Sequence, residues 1–176
     1  MVFSCSCKPC SYNRDMPSRK TPPAQSAEPA APPRGCTSFK LRQLTRRVSQ
    51  HYDQIIGAAG LKTTQYSLLS TLARLGSVRP GELARFMEMD ASTLTRNLQP
   101  LVLAGWLVVG AGQDSRSRLV TLTAAGQAKR AQAQRAWKQA QLSLNGRLGV
   151  QQVTELHALI DECLLRMNET PGEQDA

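Results

Sequence analysis

Between residues 36 and 56, apolar side chains fall at Phe39, Leu41, Leu44, Val48, Tyr52 and Ile55, largely in steps of three and four. That spacing lines one face of a helix, and Gly57 and Gly60 end it. A second helical face follows in Tyr66, Leu68, Leu69, Leu72 and Leu75, with Thr63 or Thr64 as its N-cap and Gly76 as its stop. Pro80 suits the first turn of a short third helix carrying Leu83, Phe86 and Met87. Asp90 opens a fourth, with Leu94, Leu98, Leu101 and Val102 inward and Gly105 as the stop. The texture then turns β-rich. Leu107, Val108 and Val109 form one run and residues 119–122 another, joined by a Gly-rich, charged connection too long for a two-residue hairpin turn. Thr123 caps a long Ala/Gln/Lys/Arg helix reaching about residue 145. A final amphipathic helix carries Val153, Leu156, Leu159, Ile160, Cys163, Leu164 and Met167.

Two short helices joined tightly and followed by a hairpin define a winged helix-turn-helix. The predicted fold class is α+β, mostly α, with further helices at both ends. Before residue 36 the pattern is lost: seven of the ten prolines lie in the first 35 residues. Such a segment buries too little apolar surface to offset its ordering entropy, so residues 1–35 are expected to be a disordered tail. Initiation at Met16 would leave the first 15 residues untranslated. Residues 36–170 form the domain, with 36–57 and 124–170 flanking a winged-helix part at 62–123, and 171–176 are expected to be flexible.

The chain has 176 residues, the size of one domain rather than two. Its uncharged stretch at 97–113 holds Asn, Gln, Pro and three Gly and is too short to span a bilayer. No basic-then-apolar leader opens the sequence. Five cysteines, an odd count in such a chain, argue against a disulfide framework. A cytoplasmic protein with no membrane partner is expected. The net charge of +9 is unevenly spread. Residues 37–147 hold 16 Lys and Arg against five acids, whereas 150–176 hold one Arg against six acids. The positive excess falls on the segment with the reading helix and wing, the footprint of a protein that binds double-stranded DNA.

The fourth helix presents Ser92, Thr93, Thr95, Arg96, Asn97 and Gln99 away from its leucines. Hydroxyls reach phosphates or bases, Arg pairs with guanine, and Asn and Gln pair with adenine. The hairpin tip carries Arg116 and Arg118 beside Asp114, and a loop arginine of this kind suits a narrow minor groove. The alternative is an ordinary solvated face. Pro100, inside the fourth helix, removes a hydrogen bond to the Arg96 carbonyl and is expected to kink it.

The stretches TTQYSLLSTL, RPGELARFMEMDASTLTRNLQPLVLAGWL and DSRSRLVTLTAAG, in this order, resemble the MarR family of bacterial transcription regulators over about three-quarters of the chain. The resemblance implies that Asp114 shapes the wing loop while Arg116 contacts DNA. It also implies that the motif S-T-x-T-R-x-L at residues 92–98 makes Arg96 the foremost contact. It further implies a homodimer built from the N- and C-terminal helices, reading a pseudo-palindromic operator. The apolar stripe of the last helix agrees, since it would stay wet in a monomer; an intramolecular core is the other explanation. Regulators of this kind commonly respond to a small aromatic or phenolic acid. Arg46, Arg47, His51 and Tyr66 are the candidate ligand residues, against a reading in which the arginines are solvated and His51 is satisfied by its helix.

The expected function is therefore a dimeric repressor released by a small aromatic carboxylic acid. Two alternatives stand beside it: a redox-sensing repressor using Cys36, where a helix start with Lys40 and Arg42 nearby favours a thiolate, and a non-specific architectural DNA-binding protein. Cys163 reads as an apolar filler. Cys5, Cys7 and Cys10 lack a fourth ligand for a closed zinc site. The sequence contains no H-E-x-x-H, no G-x-S-x-G and no phosphate loop, so no enzyme, cofactor or metal is expected.

Overall fold

Six helices and one hairpin follow in the order α1 (Thr37–Ile56), α2 (Thr63–Leu75), α3 (Pro80–Phe86), α4 (Ala91–Leu103), β1 (Leu107–Ala111), β2 (Arg118–Leu122), α5 (Ala124–Leu148) and α6 (Val150–Asn168), with a 3-10 turn at Gly57–Ala59. The computed structural model describes residues 34–112 and 118–168. The expected tail before residue 34 and the expected flexible end at 171–176 lie outside these residues, as do Cys5, Cys7 and Cys10. The chain divides between Gly35 and Cys36 into two units, and every labelled element belongs to the second.

Local signals account for most element ends. Pro80 occupies the first turn of α3, where its missing N–H costs nothing. Gly76 and Gly105 stop α2 and α4 with φ of 76° and 71°, a region that strongly favours glycine. Thr123 caps α5 by accepting the Gly126 N–H at 3.0 Å, and its hydroxyl faces the Gly105 and Trp106 carbonyls at 2.8 and 3.1 Å. α2 departs from expectation: neither Thr63 nor Thr64 is its N-cap, which falls at Lys62. Instead Asp53, ten residues earlier on α1, accepts both the N–H and the hydroxyl of Thr63, at 2.7 and 2.6 Å. A carboxylate from a packed neighbour thus takes over the capping role. α4 runs on through Leu101, Val102 and Leu103 with Pro100 on its exposed side.

Ile56, Leu68, Leu69, Leu72, Leu83, Leu94, Leu101 and Val120 are fully buried and knit α1–α4 to the hairpin. α5 meets this core through Ala133 and Ala140, both at 0% exposure, so small side chains let α1 approach closely. Between α1 and α5, the Tyr52 hydroxyl donates to Gln141 Oε1, and His51 Nε2 lies 3.1 Å from the Ala140 carbonyl. Burial pushes the Tyr52 phenol up from its ordinary value. Gly126 is demanded by proximity: a Cβ there would sit 2.1 Å from the Trp106 carbonyl oxygen.

β1 and β2 pair antiparallel from Leu107↔Leu122 to Ala111↔Arg118. Val78, before α3, adds a bridge to Val120 with N–H···O bonds in both directions at 3.2 and 2.9 Å. Val102 on α4, expected to point inward, is exposed, as are Phe39 (65%) and Leu41 on α1, Phe86 on α3, and Leu159, Ile160, Cys163, Leu164 and Met167 on α6, the last-helix stripe staying wet in a single chain as its pattern implied. Cys163 is therefore no core filler within this chain. The first half of α1 and most of α6 carry apolar faces that no other described element covers. Phe86 instead lies under the Arg74 guanidinium, 4.7 Å from its ring centroid, as a cation–π pair.

Candidate nucleic-acid interface

α4 is fixed at its start. Asp90 has extended backbone, and its carboxylate accepts the Thr93 N–H at 2.7 Å and the Ser92 and Thr93 hydroxyls at 2.6 Å each. These donors, the Ser92 hydroxyl foremost and then those of Thr93, hold the Asp90 carboxyl well below the usual carboxylate range. Negative charge at a helix N-terminus is also favoured by the helix dipole. Leu94, Leu98 and Leu101 anchor α4 to the core, so the opposite side of the helix faces outward.

That outward stripe consists of Ser92, Arg96, Gln99 and Leu103, with Thr95 beside it, all exposed. Thr95 donates its hydroxyl to the Ala91 carbonyl at 2.7 Å. Thr93 and Asn97 depart from the expected placement. Both are half-buried on the flank between the leucines and the stripe, and Asn97 Nδ2 lies 3.9 Å from Met89 Sδ at the turn. Arg96 leans back along the helix, with Nη2 3.1 Å from Ser92 Oγ and Nε 3.4 Å from the Ser92 carbonyl. Among the described residues no carboxylate lies within 4.0 Å of Arg96 or Arg118. Leu103, 81% exposed, continues the stripe. Sequence reasoning passed over it because one more leucine in a leucine-rich helix reads as core.

Arg118 begins β2 opposite Ala111 and is exposed. Asp114 and Arg116 lie outside the described residues. At the wing's base the Ser77 and Thr121 hydroxyls are 2.8 Å apart, next to the Val78 bridge.

The four ligand candidates do not share one environment. His51 is buried, and its Nε2 carries the proton because its partner, the Ala140 carbonyl, can only accept. Tyr66 is buried and stacks on Trp137, with centroids 5.9 Å apart and planes 24° from parallel. Arg46 and Arg47 are exposed on the uncovered half of α1. Cys36, the N-cap residue of α1, is also exposed. No helix among the described residues is long and apolar enough to cross a membrane.

Three interlocked helices, a capped and outward-facing fourth helix and a two-stranded wing define a winged helix-turn-helix protein. Residues 59–117 match the model of the MarR family. The chain is 29% identical over 84 residues to the uncharacterized HTH-type transcriptional regulator YwoH of Bacillus subtilis, a match covering 48% of this chain and 61% of that one. Among solved structures, a probable transcriptional regulator from Pseudomonas aeruginosa superposes with a TM-score of 0.67 at 28% identity, covering 72% of this chain and 96% of the other. The Mycobacterium tuberculosis regulator MosR in complex with DNA gives 0.61 at 28% identity, covering 73% and 98%. A mutant of Escherichia coli MarR complexed with operator DNA shares the fold, with a TM-score of 0.67 at 22% identity over 72% and 92% of the two chains. Over residues 59–117 this chain is therefore similar to the MarR family of transcription regulators.

Proposed function

We propose that the protein is a homodimeric, sequence-specific repressor that binds double-stranded DNA and is released by a small aromatic carboxylic acid. The observation that carries the DNA reading is the outward stripe of α4. Arg96 stands there free of any carboxylate within 4.0 Å among the described residues, on a helix whose other side is locked into the core. Arginine in that setting pairs bidentately with guanine, and Gln99 one turn on pairs with adenine. Arg118 at the root of the wing, with Asp114 and Arg116 a few residues before it in sequence, extends the contact to the adjacent groove. Two of the similar structures, MosR and E. coli MarR, were solved with DNA.

The dimer reading draws support from the apolar faces left uncovered at both ends of the domain: Phe39 and Leu41 on α1, and Leu159, Ile160, Leu164 and Met167 on α6. A second copy buries such faces, and two-fold symmetry sets the reading helices about 34 Å apart for a pseudo-palindromic site. For the effector, Arg46 and Arg47 supply the exposed guanidinium chemistry that grips a carboxylate.

The test selects a preferred duplex from a random pool with the wild-type chain and compares it with Arg96→Ala in gel-shift titrations. A repressor prefers its site over random DNA by roughly 10³-fold or more, and Arg96→Ala abolishes that preference while the chain stays folded. Wild-type preference in the variant refutes the reading. Equal affinity of the wild type for all duplexes identifies an architectural DNA-binding protein instead. A thermal-shift screen of aromatic carboxylates tests the effector, because a ligand of the native state raises its melting temperature.

A further inference from the structure

We propose that Ser92, oriented by Asp90, is a positioning residue that aims Arg96 at a base edge before DNA arrives. This rests on the reading of α4 as the DNA-contacting helix. A serine hydroxyl has one proton to give, and Ser92 gives it to the Asp90 carboxylate at 2.6 Å. Its oxygen is thereby committed as an acceptor toward the helix, and Arg96 Nη2 donates to it at 3.1 Å. Arg96 Nε meets the Ser92 carbonyl at 3.4 Å, so Ser92 holds the Nε/Nη2 edge of the guanidinium at two points. Among the described residues no hydrogen bond engages Nη1, which leaves the Nη1/Nη2 edge available to a base. That end-on fork is the shape that matches O6 and N7 of guanine.

An exposed arginine otherwise surrenders its side-chain freedom when it binds, and fixing it beforehand lowers that entropic cost. Asp90 keeps the arrangement one-directional. Its carboxylate is acceptor-only, so Ser92 has no choice about where its proton points. The same carboxylate also holds the Thr93 N–H and hydroxyl, so the helix cap survives removal of the Ser92 side chain. Loss of the Ser92 hydroxyl therefore separates aiming from folding.

The experiment is a double-mutant cycle on the full chain, using the duplex selected by the wild type and variants of it with each G·C pair replaced in turn, at several salt concentrations. Ser92→Ala is expected to lower the preference for the pair that Arg96 reads by about tenfold, a typical gain from fixing one such side chain. The salt slope stays unchanged, because phosphate contacts are untouched. Ser92→Thr, which keeps the hydroxyl, restores the preference, and Ser92→Ala has no further effect in an Arg96→Ala background. An equal loss in both backgrounds shows Ser92 contacting DNA itself and overturns the proposal, as does an unchanged preference in Ser92→Ala. Full preference retained by Arg96→Ala removes the DNA-reading role of that residue, and the aiming role of Ser92 with it. Should Ser92→Ala lower the melting temperature, Ser92→Cys, similar in size but a weak donor and acceptor, replaces it in the cycle with the same expected outcomes.

Discussion

Replacing Gly126 by alanine sets two opposed effects against each other, and the structure decides which prevails. Alanine inside a helix ordinarily gains about 1 kcal/mol over glycine. At residue 126, however, the new Cβ falls 2.1 Å from the Trp106 carbonyl oxygen and 2.7 Å from Leu122 Cδ1. The nearer obstacle is backbone, so relief requires the first turn of α5 to move away from β1 by roughly an ångström. That movement also loosens the Trp106 carbonyl, which accepts the Thr123 N–H at 3.1 Å and lies 3.1 Å from the Thr123 hydroxyl. Overpacking of this kind costs roughly 1–3 kcal/mol, and the cap bond adds to it. Gly126→Ala is therefore expected to lose about 1–3 kcal/mol net, a fall in melting temperature of roughly 2–10 °C for a chain of this size. The control lies in the same helix: a Cβ at Gly146 meets nothing within 4 Å, so Gly146→Ala is expected to be neutral or stabilising. Parallel urea and thermal denaturation of the two variants measures the difference. If Gly126→Ala proves as stable as Gly146→Ala, the close approach of α5 to the wing is not the constraint described.

Ile160→Glu, on the uncovered stripe of α6, is expected to shift the chain to monomer in sedimentation experiments while the near-native fold persists; an unchanged dimer counts against that face. The depressed Asp90 carboxyl has a direct acid signature. Its folded-state value lies below the ordinary 3.8, so its stabilising effect is complete above that value and drains away as pH falls through the lower one. Between pH 5 and 8 stability is flat on its account, and Asp90→Asn weakens the dependence seen in acid denaturation below about pH 4; an identical acid limb in both proteins refutes the assignment. Leu94→Ala, on the buried side of α4, is expected to cost about 2–5 kcal/mol in urea denaturation. A loss under 1 kcal/mol would show that α4 is not held by that contact.

The features readable from the chain are those written by neighbours a few residues apart. Asp90 and Thr123 announce their caps, Gly76 and Gly105 their stops, and the β-rich runs around the wing their pairing, because each is decided within one turn or one strand. What escaped depends on distant partners. Asp53 caps α2 from ten residues away, and a single valine, Val78, pairs with Val120 without any alternating pattern to mark it. His51 is a ligand candidate by its place on the inner face of the first helix, and only α5, brought alongside, reveals the Ala140 carbonyl 3.1 Å from its Nε2. Likewise, periodicity shows that Phe39 and Leu159 belong to apolar faces but not what covers them. On α4 the same limit applied to Thr93 and Asn97, which a leucine count placed outward and the packing placed on the flank.

The two hydrogen bonds between Val78 and Val120 tie the segment leading into the helix pair to the far strand of the hairpin. Reader and ribbon are thus yoked, and a tilt imposed on one is transmitted to the other. If both contact DNA as proposed, a small rotation of the whole unit is expected to withdraw them together, so that release from the duplex follows one kinetic phase instead of a piecemeal peeling.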